Sequence, residues 1–338
     1  MNPRIFIIKN KKWLRSKTYN YFFNLNNGYF LRWGENVADD PAFSPFGPEL
    51  IDLEVSTICS RACPWCYKSN TSNGKNMNFE TFKTIFDKIP KTLTQIAFGI
   101  GDLDRNPDLW KMLEYCRKNQ VIPNITINGY KVNEEMAEKL VTFCGAIAIS
   151  HYEDDYCFNA INLLKSKGLK QINIHKLLSK ETLNSCYDLI NKIKTDSRLE
   201  YLNAVIFLSL KKKGRGIDFQ TLKKEEFSDL IHFAINQNIP IGFDSCTAPK
   251  FLKSIKNHKK KIFLKTMIEP CESSCFSLYI NVEGKAYPCS FLENEKGIAS
   301  INMLNIRDFL KDVWFNEKTE RFRTKLIKNK RECPVFKI

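Results

Sequence analysis

Long hydrophobic runs are missing from the sequence, and so is a basic-then-apolar leader followed by a small-residue cleavage site. Without an apolar stretch of about 18 residues, the sequence contains no candidate membrane-spanning helix. In a chain of 338 residues with no leader, twelve cysteines are more typical of metal ligands or buried thiols than of a secreted disulfide scaffold. We therefore expect a soluble, cytoplasmic protein that has no membrane partner and keeps its thiols reduced.

Acidic residues are few relative to basic ones. The chain has 37 Asp and Glu against 52 Lys and Arg, which gives a net charge of +15. Such an excess is compatible with an anionic partner such as nucleic acid. However, 40 of the 52 basic residues are lysines, and asparagine is also frequent, a bias that AT-rich coding produces with no function behind it. Charge therefore leaves nucleic acid as a partner that is not favoured.

Apolar strand patterns alternate with amphipathic helical patterns from residue 51 onwards, and 43% of the chain is hydrophobic. Repeated strand–helix units favour a parallel sheet. Six such units predict an α/β domain over residues 51–240, an incomplete (β/α)6 TIM-like barrel. The candidate strands begin near Ile51, Thr94, Ile122, Gly145, Gln171 and Tyr201.

Residues 1–50 precede this domain and carry a hairpin signal. Aromatic and polar residues alternate at 18–24 and 29–33, on either side of Asn27-Gly28, which is typical of a type I′ turn. We interpret the segment as an N-terminal β-hairpin that caps one end of the barrel. A ribbon on which a substrate or peptide docks is the alternative.

Three cysteines stand within eight residues at the end of the first strand. Cys59, Cys63 and Cys66 form C-x3-C-x2-C in the stretch CSRACPWCY. Three thiolates on one loop can hold three irons of a [4Fe–4S] cube and leave the fourth iron without a protein ligand. A zinc site would need a second CxxC or a CxxH within about fifty residues, and none is present. The pattern favours the cluster over zinc or a chance grouping.

This stretch resembles the cluster loop of the radical SAM superfamily, which also has an aromatic residue before its third cysteine, here Trp65. The resemblance implies that Cys59, Cys63 and Cys66 are the catalytic metal ligands and that the open iron binds S-adenosylmethionine (SAM). An electron from the cluster then breaks a C–S bond and yields a 5′-deoxyadenosyl radical. The resemblance also implies chemistry at the C-terminal ends of the barrel strands and a reductant such as flavodoxin or ferredoxin.

Later strand ends resemble the SAM contacts of the family. Gly101-Asp102 stands where the family has Gly-Gly-Glu, whose carboxylate receives the SAM amino group; the shorter aspartate still accepts a charge-assisted hydrogen bond. Asn128 lies in a segment like the family's Thr-Asn-Gly strand end. Ser150 corresponds to a ribose and carboxylate contact, and Leu208 lies on the strand that packs on adenine. A plain turn is the alternative at the glycine–aspartate and asparagine positions.

Two basic segments follow the sixth strand. Residues 211–216 form a basic turn with two glycines, in which backbone N–H groups and Arg215 can bind an anion such as the SAM carboxylate. A solvated lysine turn is the alternative there. Residues 250–265 contain seven lysines and no acid, and we interpret them as an exposed helix face in preference to an anion or nucleic acid patch.

Two histidines are weaker site candidates. His151 follows the fourth strand, near the mouth of the barrel. His175 lies in the fifth strand and is a candidate general acid or radical partner. A lone histidine is more often structural. Alternation in the fifth strand leaves two inward sets open, either Asn173 with His175 or the set Ile172, Ile174 and Lys176.

A second group of cysteines lies past residue 240, where the strand–helix rhythm stops. Cys271 and Cys275 precede a hairpin that turns at Gly284, Cys289 lies on the return strand, and Cys333 is near the C-terminus. Four thiolates can ligate a [4Fe–4S] cluster completely. These four cysteines are therefore the predicted ligands of a second cluster.

This run resembles the opening of the SPASM/Twitch extension of radical SAM enzymes, where a hairpin with G-x4-C follows an upstream cysteine. The resemblance implies one auxiliary [4Fe–4S] cluster in a small α+β domain at residues 241–338, because the further cysteines of a full SPASM segment are missing. Cys246 is a competing ligand that would leave Cys271 or Cys275 spare, and a structural zinc is the alternative occupant. The remaining cysteines are expected to be buried thiols: Cys116, Cys144, Cys157 and Cys186.

Together the two resemblances cover residues 50–338 and imply an enzyme that cleaves SAM and abstracts hydrogen from a substrate held in the barrel. Many enzymes with this extension modify ribosomally made peptides, so a peptide or protein that is oxidised or crosslinked is the first hypothesis, and a small molecule remains open. Modification of a nucleoside, nucleotide or nucleic acid is the rival. A cluster-bearing scaffold that does not cleave SAM is the non-enzymatic alternative.

Overall fold

A computed structural model describes residues 3–336 and contains two β-sheets with helices packed on the larger one. The strands are β1 Arg4–Ile8, β2 Lys11–Arg15, β3 Asn20–Asn24, β4 Phe30–Trp33, β5 Leu50–Glu54, β6 Gln95–Gly99, β7 Ile122–Ile127, β8 Ile147–Ser150, β9 Ile172–Leu178, β10 Ala204–Ser209, β11 Ile241–Phe243, β12 Ser277–Ile280, β13 Lys285–Tyr287 and β14 Ile301–Asn302. The α-helices are α1 Phe79–Phe86, α2 Leu109–Lys118, α3 Glu134–Phe143, α4 Asp154–Ser166, α5 Leu183–Lys192, α6 Lys224–Asn236, α7 Ala248–Ser254, α8 Lys261–Lys265 and α9 Glu317–Lys328.

The larger sheet is the partial barrel that the repeated units predict. Its strand order is β11-β10-β9-β8-β7-β6-β5-β12-β13-β14, and β5 to β11 all run parallel. The α/β prediction is therefore confirmed. The sheet has two more parallel strands than the six expected: β12, which pairs with β5, and β11, which pairs with Val205–Phe207 of β10 over only three residues. Such a short strand leaves no periodic pattern in the sequence.

Side chains alternate along the barrel strands between the helix layer and the barrel interior. In β9, Ile172 and Ile174 are buried in the core under the helices, whereas Asn173 and His175 are half-buried on the opposite face. This settles the phase that the sequence left open and places His175 beside Ser150 of β8 and Ile206 of β10. The interior is therefore lined by polar and apolar side chains together.

The N-terminal segment is a four-stranded antiparallel sheet in which the predicted hairpin is β3–β4. The predicted two-residue type I′ turn is wrong, because the connecting loop spans residues 25–29 and only Gly28 in it has a positive φ, 71°. A second hairpin, β1–β2, turns at Lys9 and Asn10 with φ of 48° and 60°. The sequence did not indicate this turn because glycine is absent from it.

This sheet closes the N-terminal end of the barrel. Lys12 Nζ donates a hydrogen bond to the carbonyl of Leu93 at 2.6 Å, and the Tyr21 hydroxyl donates to the carbonyl of Thr92 at 2.7 Å. Both carbonyls lie just before β6, so the sheet contacts the barrel at the end opposite to the loops that follow the strands. The contacts are those of a cap.

The C-terminal region continues the barrel sheet. β12 pairs in parallel with β5, from Ser277 beside Leu50 to Ile280 beside Leu53. The indole of Trp314, which is fully buried, donates a hydrogen bond to the carbonyl of Ser44 at 2.7 Å. Among the residues that the structure describes, no helix is both long and apolar enough to span a membrane.

Candidate functional site

The cysteine loop (residues 55–78) follows β5 at the C-terminal end of the barrel and brings Cys59, Cys63 and Cys66 together. Backbone hydrogen bonds from Cys66 N to the Cys63 carbonyl at 3.1 Å and from Cys59 N to the Thr71 carbonyl at 2.8 Å fold the loop on itself. Burial raises the pKa of the Cys59 and Cys63 thiols, and the neighbouring cysteine thiols act in the same direction. Mutual effects of this kind arise when the thiols lie close together.

The donor set of the loop fits an iron–sulfur cluster. It consists of three half-buried thiols. Within residues 3–336, no three His, Cys, Asp or Glu side chains converge on a position for a single metal ion. Thiolates are the ligands that hold [4Fe–4S] clusters, and three of them ligate three of four irons. Cys59, Cys63 and Cys66 would hold such a cluster here.

Gly101 and Asp102, which follow β6, brace the start of this loop. A Cβ at position 101 would lie 2.1 Å from the Ile58 carbonyl oxygen and 2.6 Å from Cys59 Cβ, so only glycine fits. Asp102 N donates to the same Ile58 carbonyl at 2.9 Å, and its carboxylate accepts from Ser60 N at 2.8 Å. The carboxylate that we predict to bind the SAM amino group thus already holds the loop.

Asn128 extends this brace. Its Nδ2 donates to Asp102 Oδ1 at 3.1 Å and to the Gly101 carbonyl at 3.2 Å, while its Oδ1 accepts from Tyr130 N at 2.9 Å. All these partners are protein groups, and the side chain is largely buried. In this arrangement Asn128 orients the Asp102 carboxylate.

The other predicted SAM contacts line the same end of the barrel. Ser150 ends β8 and Leu208 lies in β10, and both face the interior with half-buried side chains. Trp65 packs between the rings of Tyr152 and Phe219, with centroids 5.9 Å and 6.0 Å away. These aromatic rings shield one side of the cysteine loop from water.

Arg215 braces the other half of the cysteine loop. Its Nε donates to the Cys63 carbonyl at 2.8 Å, its guanidinium donates to the Asn70 carbonyl at 3.0 Å, and its backbone N–H donates to the Cys66 carbonyl at 3.1 Å. Arg215 is therefore held by backbone carbonyls of the cysteine loop, whereas Lys212 of the same turn is exposed. No sequence signal indicates this role, because the partners are backbone carbonyls far away in the chain.

The second group of thiols lies near the buried side chain of Lys211. Burial lowers the pKa of this lysine, and the nearby thiols of Cys246, Cys289, Cys333 and Cys271 act in the opposite direction. We call these four residues the auxiliary thiol group. Four thiols around one buried side chain are the donor set of a fully ligated [4Fe–4S] cluster.

Contacts within the auxiliary thiol group connect its members. The interaction between the Cys246 and Cys271 thiols, together with burial, raises the pKa of Cys246, and the same interaction lowers the pKa of Cys271. Burial raises the pKa of Cys289 to about 12, and the thiols of Cys271 and Cys333 act in the same direction. The group thus spans three separate stretches of the chain.

Cys275, one of the four predicted ligands, is not among the thiols that act on Lys211. It is fully buried in an apolar cluster that also contains Cys271 and Cys289. Burial raises its pKa to about 11, and the thiol of Cys271 acts in the same direction. Both Cys246, the competing candidate, and Cys275 therefore lie near Cys271, and Cys246 alone of the two acts on Lys211.

Comparison with known proteins agrees with this geometry. The sequence profile of the radical SAM superfamily matches residues 53–152, and that of an iron–sulfur cluster-binding domain, SPASM, matches residues 271–335. The chain carries a radical SAM domain and a SPASM domain. No curated protein sequence matches the chain.

Solved structures share the fold of this radical SAM–SPASM chain at low sequence identity. Streptococcus suis SuiB bound to S-adenosylmethionine is 12% identical, with a TM-score of 0.72 over 94% of this chain and 90% of that one. SuiB bound to precursor peptide SuiA is 12% identical, with a TM-score of 0.69 over 95% and 91%. Polyhistidine-tagged anSMEcpe with bound AdoMet is 17% identical, with a TM-score of 0.60 over 81% and 79%.

The radical SAM and SPASM domains meet beside the cysteine loop. The ring of Tyr67, next to Cys66, lies 4.4 Å from the ring of Phe291, which is two residues after Cys289. Lys68 forms ion pairs with Glu54, at 3.0 Å, and with Glu293 of the SPASM domain. These contacts fix the two thiol groups relative to each other. A cavity of about 630 Å³ opens along this seam.

The two candidate histidines, His151 and His175, lie on opposite sides of the barrel sheet. His151 Nδ1 accepts a hydrogen bond from Lys176 Nζ and its Nε2 donates one to Asp154 Oδ1, both at 2.9 Å, on the helix side of the sheet. His175 faces the interior, and burial alone lowers its pKa to about 4, so it is a neutral imidazole there. Of these two histidines, His175 is the one on the interior face of the sheet. The four thiols predicted to be structural are all buried: Cys116, Cys144, Cys157 and Cys186.

Replacing Gly101 by alanine should cost the radical SAM domain its cluster. The added Cβ cannot be accommodated without moving the Ile58 carbonyl and Cys59, so we expect the iron content to fall by about four per chain. Gly99→Ala is the matched control, because its nearest contact would be an ordinary 3.6 Å to Glu54 Cα. Iron and sulfide analysis after anaerobic reconstitution measures both. Equal iron in the two variants would contradict the bracing role.

Proposed function

We propose that the protein reductively cleaves SAM to a 5′-deoxyadenosyl radical and abstracts hydrogen from a peptide or protein, which ends as an oxidised or crosslinked product. The observation that carries this proposal is the pair of thiol groups, three on the cysteine loop and four around Lys211, which meet across the Tyr67–Phe291 contact. When bound, the first cluster and SAM supply the radical chemistry, which no amino-acid side chain provides.

The protein's own residues hold this site in place and shape its interior. Asp102, Asn128 and Arg215 fix the cysteine loop by hydrogen bonds to its backbone and to each other. Ser150 and His175 present a hydroxyl and a neutral imidazole towards the barrel interior. Such a mouth, with few polar groups among apolar ones, suits the positioning of one substrate atom and the exclusion of water.

A peptide substrate is favoured by the solved structures that share this fold, which include SuiB with its precursor peptide and anSMEcpe with a Cp18Cys peptide. In the basic turn at 211–216, the side chains of Lys211, Lys213 and Arg215 bind protein partners, which weakens one reason for a nucleic acid substrate.

The test is anaerobic reconstitution with iron and sulfide, followed by dithionite, SAM and candidate substrates, with mass spectrometry as the readout. We expect 5′-deoxyadenosine to form and short peptides encoded beside the gene to lose hydrogen or gain a crosslink. Clusters that assemble without any 5′-deoxyadenosine would support the scaffold alternative. Modification of DNA, RNA or nucleotides in place of peptides would support the rival substrate class.

A further inference from the structure

Lys211 is a buried cation whose protein partners leave it incompletely satisfied. It follows β10, and its side chain is only 1% exposed. An ammonium carries three N–H donors, and Asp244 is the one hydrogen-bond acceptor that residues 3–336 give it. The face of the Phe291 ring covers another side at 4.6 Å. Burial of a cation with spare donors calls for a further anionic neighbour.

Both contacts of Lys211 belong to segments that carry auxiliary thiols, because Asp244 stands two residues before Cys246 and Phe291 stands two residues after Cys289. The thiols of all four members of the auxiliary thiol group act on the Lys211 ammonium. As ligands these groups are thiolates, so the cluster that they would hold, with its sulfides, is an anionic body. An anionic cluster at this position would give the unused N–H donors of Lys211 a partner. The ion pair with Asp244 alone does not explain why the lysine is placed among thiols.

We propose that Lys211 raises the reduction potential of the auxiliary cluster held by Cys246, Cys271, Cys289 and Cys333, and that Asp244 limits this effect. Reduction adds one negative charge to the cluster, and a nearby cation stabilises that added charge. Net charge and hydrogen bonds to sulfur are known determinants of cluster potentials. The proposal rests on the proposed function, to which it adds the redox setting of the second site.

The consequence for the reaction concerns the electron that a substrate loses on oxidation. A higher potential makes transfer of that electron to the auxiliary site more favourable, and a lower one makes it less so. Lys211 is thus a residue that acts through the cluster and not by touching the substrate. Its effect is measurable without any substrate or SAM.

The test uses the full chain with Cys59, Cys63 and Cys66 all replaced by alanine, so that only the auxiliary cluster forms. A redox titration followed by electron paramagnetic resonance gives its midpoint potential. Lys211→Met should lower the ratio of reduced to oxidised cluster at fixed potential by about tenfold, which is about 59 mV for a one-electron couple. Lys212→Met is the matched control, because Lys212 is the neighbouring lysine and is exposed.

Two further variants keep the test decisive. Asp244→Asn removes the opposing charge and should raise the potential, whereas Lys211→Arg keeps the cation and should stay near the parent value. An unshifted potential in Lys211→Met or in Asp244→Asn, with iron bound, overturns the charge effect. An equal drop in Lys211→Arg and Lys211→Met overturns it as well. A parent that binds no iron overturns the ligand set and, with it, this proposal.

Discussion

Cys63→Ala is expected to abolish formation of 5′-deoxyadenosine from SAM and dithionite. The variant leaves two thiols on the cysteine loop, and two ligands do not hold a cluster that offers one open iron. Loss should be complete within detection, measured by chromatography and mass spectrometry of the anaerobic reaction. Iron content should fall from about eight to about four per chain, because the auxiliary thiol group is untouched.

Cys157→Ala is the control for this experiment. Cys157 is a buried thiol of α4 and lies outside both thiol groups, so the variant removes one sulfur without removing a predicted ligand. It should keep its iron and its activity. Persistent 5′-deoxyadenosine formation by Cys63→Ala, or equal loss in both variants, would refute the assignment of the cysteine loop as the SAM-cleaving site.

Cys246→Ala and Cys275→Ala are expected to separate the two candidate ligand sets of the SPASM domain. Cys246 and Cys275 both lie near Cys271, but only Cys246 is among the thiols that act on the buried Lys211. Cys246→Ala should therefore lose about four irons per chain and the corresponding magnetic signal, and Cys275→Ala should keep both. Iron analysis and Mössbauer spectroscopy of the reconstituted proteins give the answer.

The pair is informative because each variant controls the other. Both residues are cysteines in the same domain, and each loses a single sulfur. Loss of the second cluster in Cys275→Ala alone would restore the ligand set that the sequence spacing favoured. Retention in both would mean that the auxiliary thiol group does not bind a cluster as a unit.

The sequence predicted the features whose residues lie close together in the chain. The C-x3-C-x2-C loop, the parallel strands and the hairpin with Gly284 and Cys289 are all local patterns, and the structure has each of them. It did not predict contacts between residues that are far apart in the chain. The grouping of Cys246 with Cys333 and the use of Arg215 by the Cys63 carbonyl depend on how three segments fold together.

The sequence also did not determine which side chains of β9 face the barrel interior. Alternation in β9 left two equivalent inward sets, because isoleucines and polar residues alternate without a flanking clue. Packing of Ile172 and Ile174 under the helices decides it, and Lys176 lies on their side of the sheet with its ammonium hydrogen-bonded to His151. A buried lysine on an apolar face is not predictable from residue type, since its partner comes from another strand end.

The pairing of β12 with β5 makes the two halves of the protein interdependent during folding. β5 carries the cysteine loop at its end, and without β12 its outer edge would expose unpaired backbone groups that invite intermolecular strand addition. During synthesis, the barrel strands are made before β12. The edge of β5 therefore stays unpaired until the residues of β12 have been synthesised. Assembly of the metal sites and completion of the sheet are in this way parts of one maturation event.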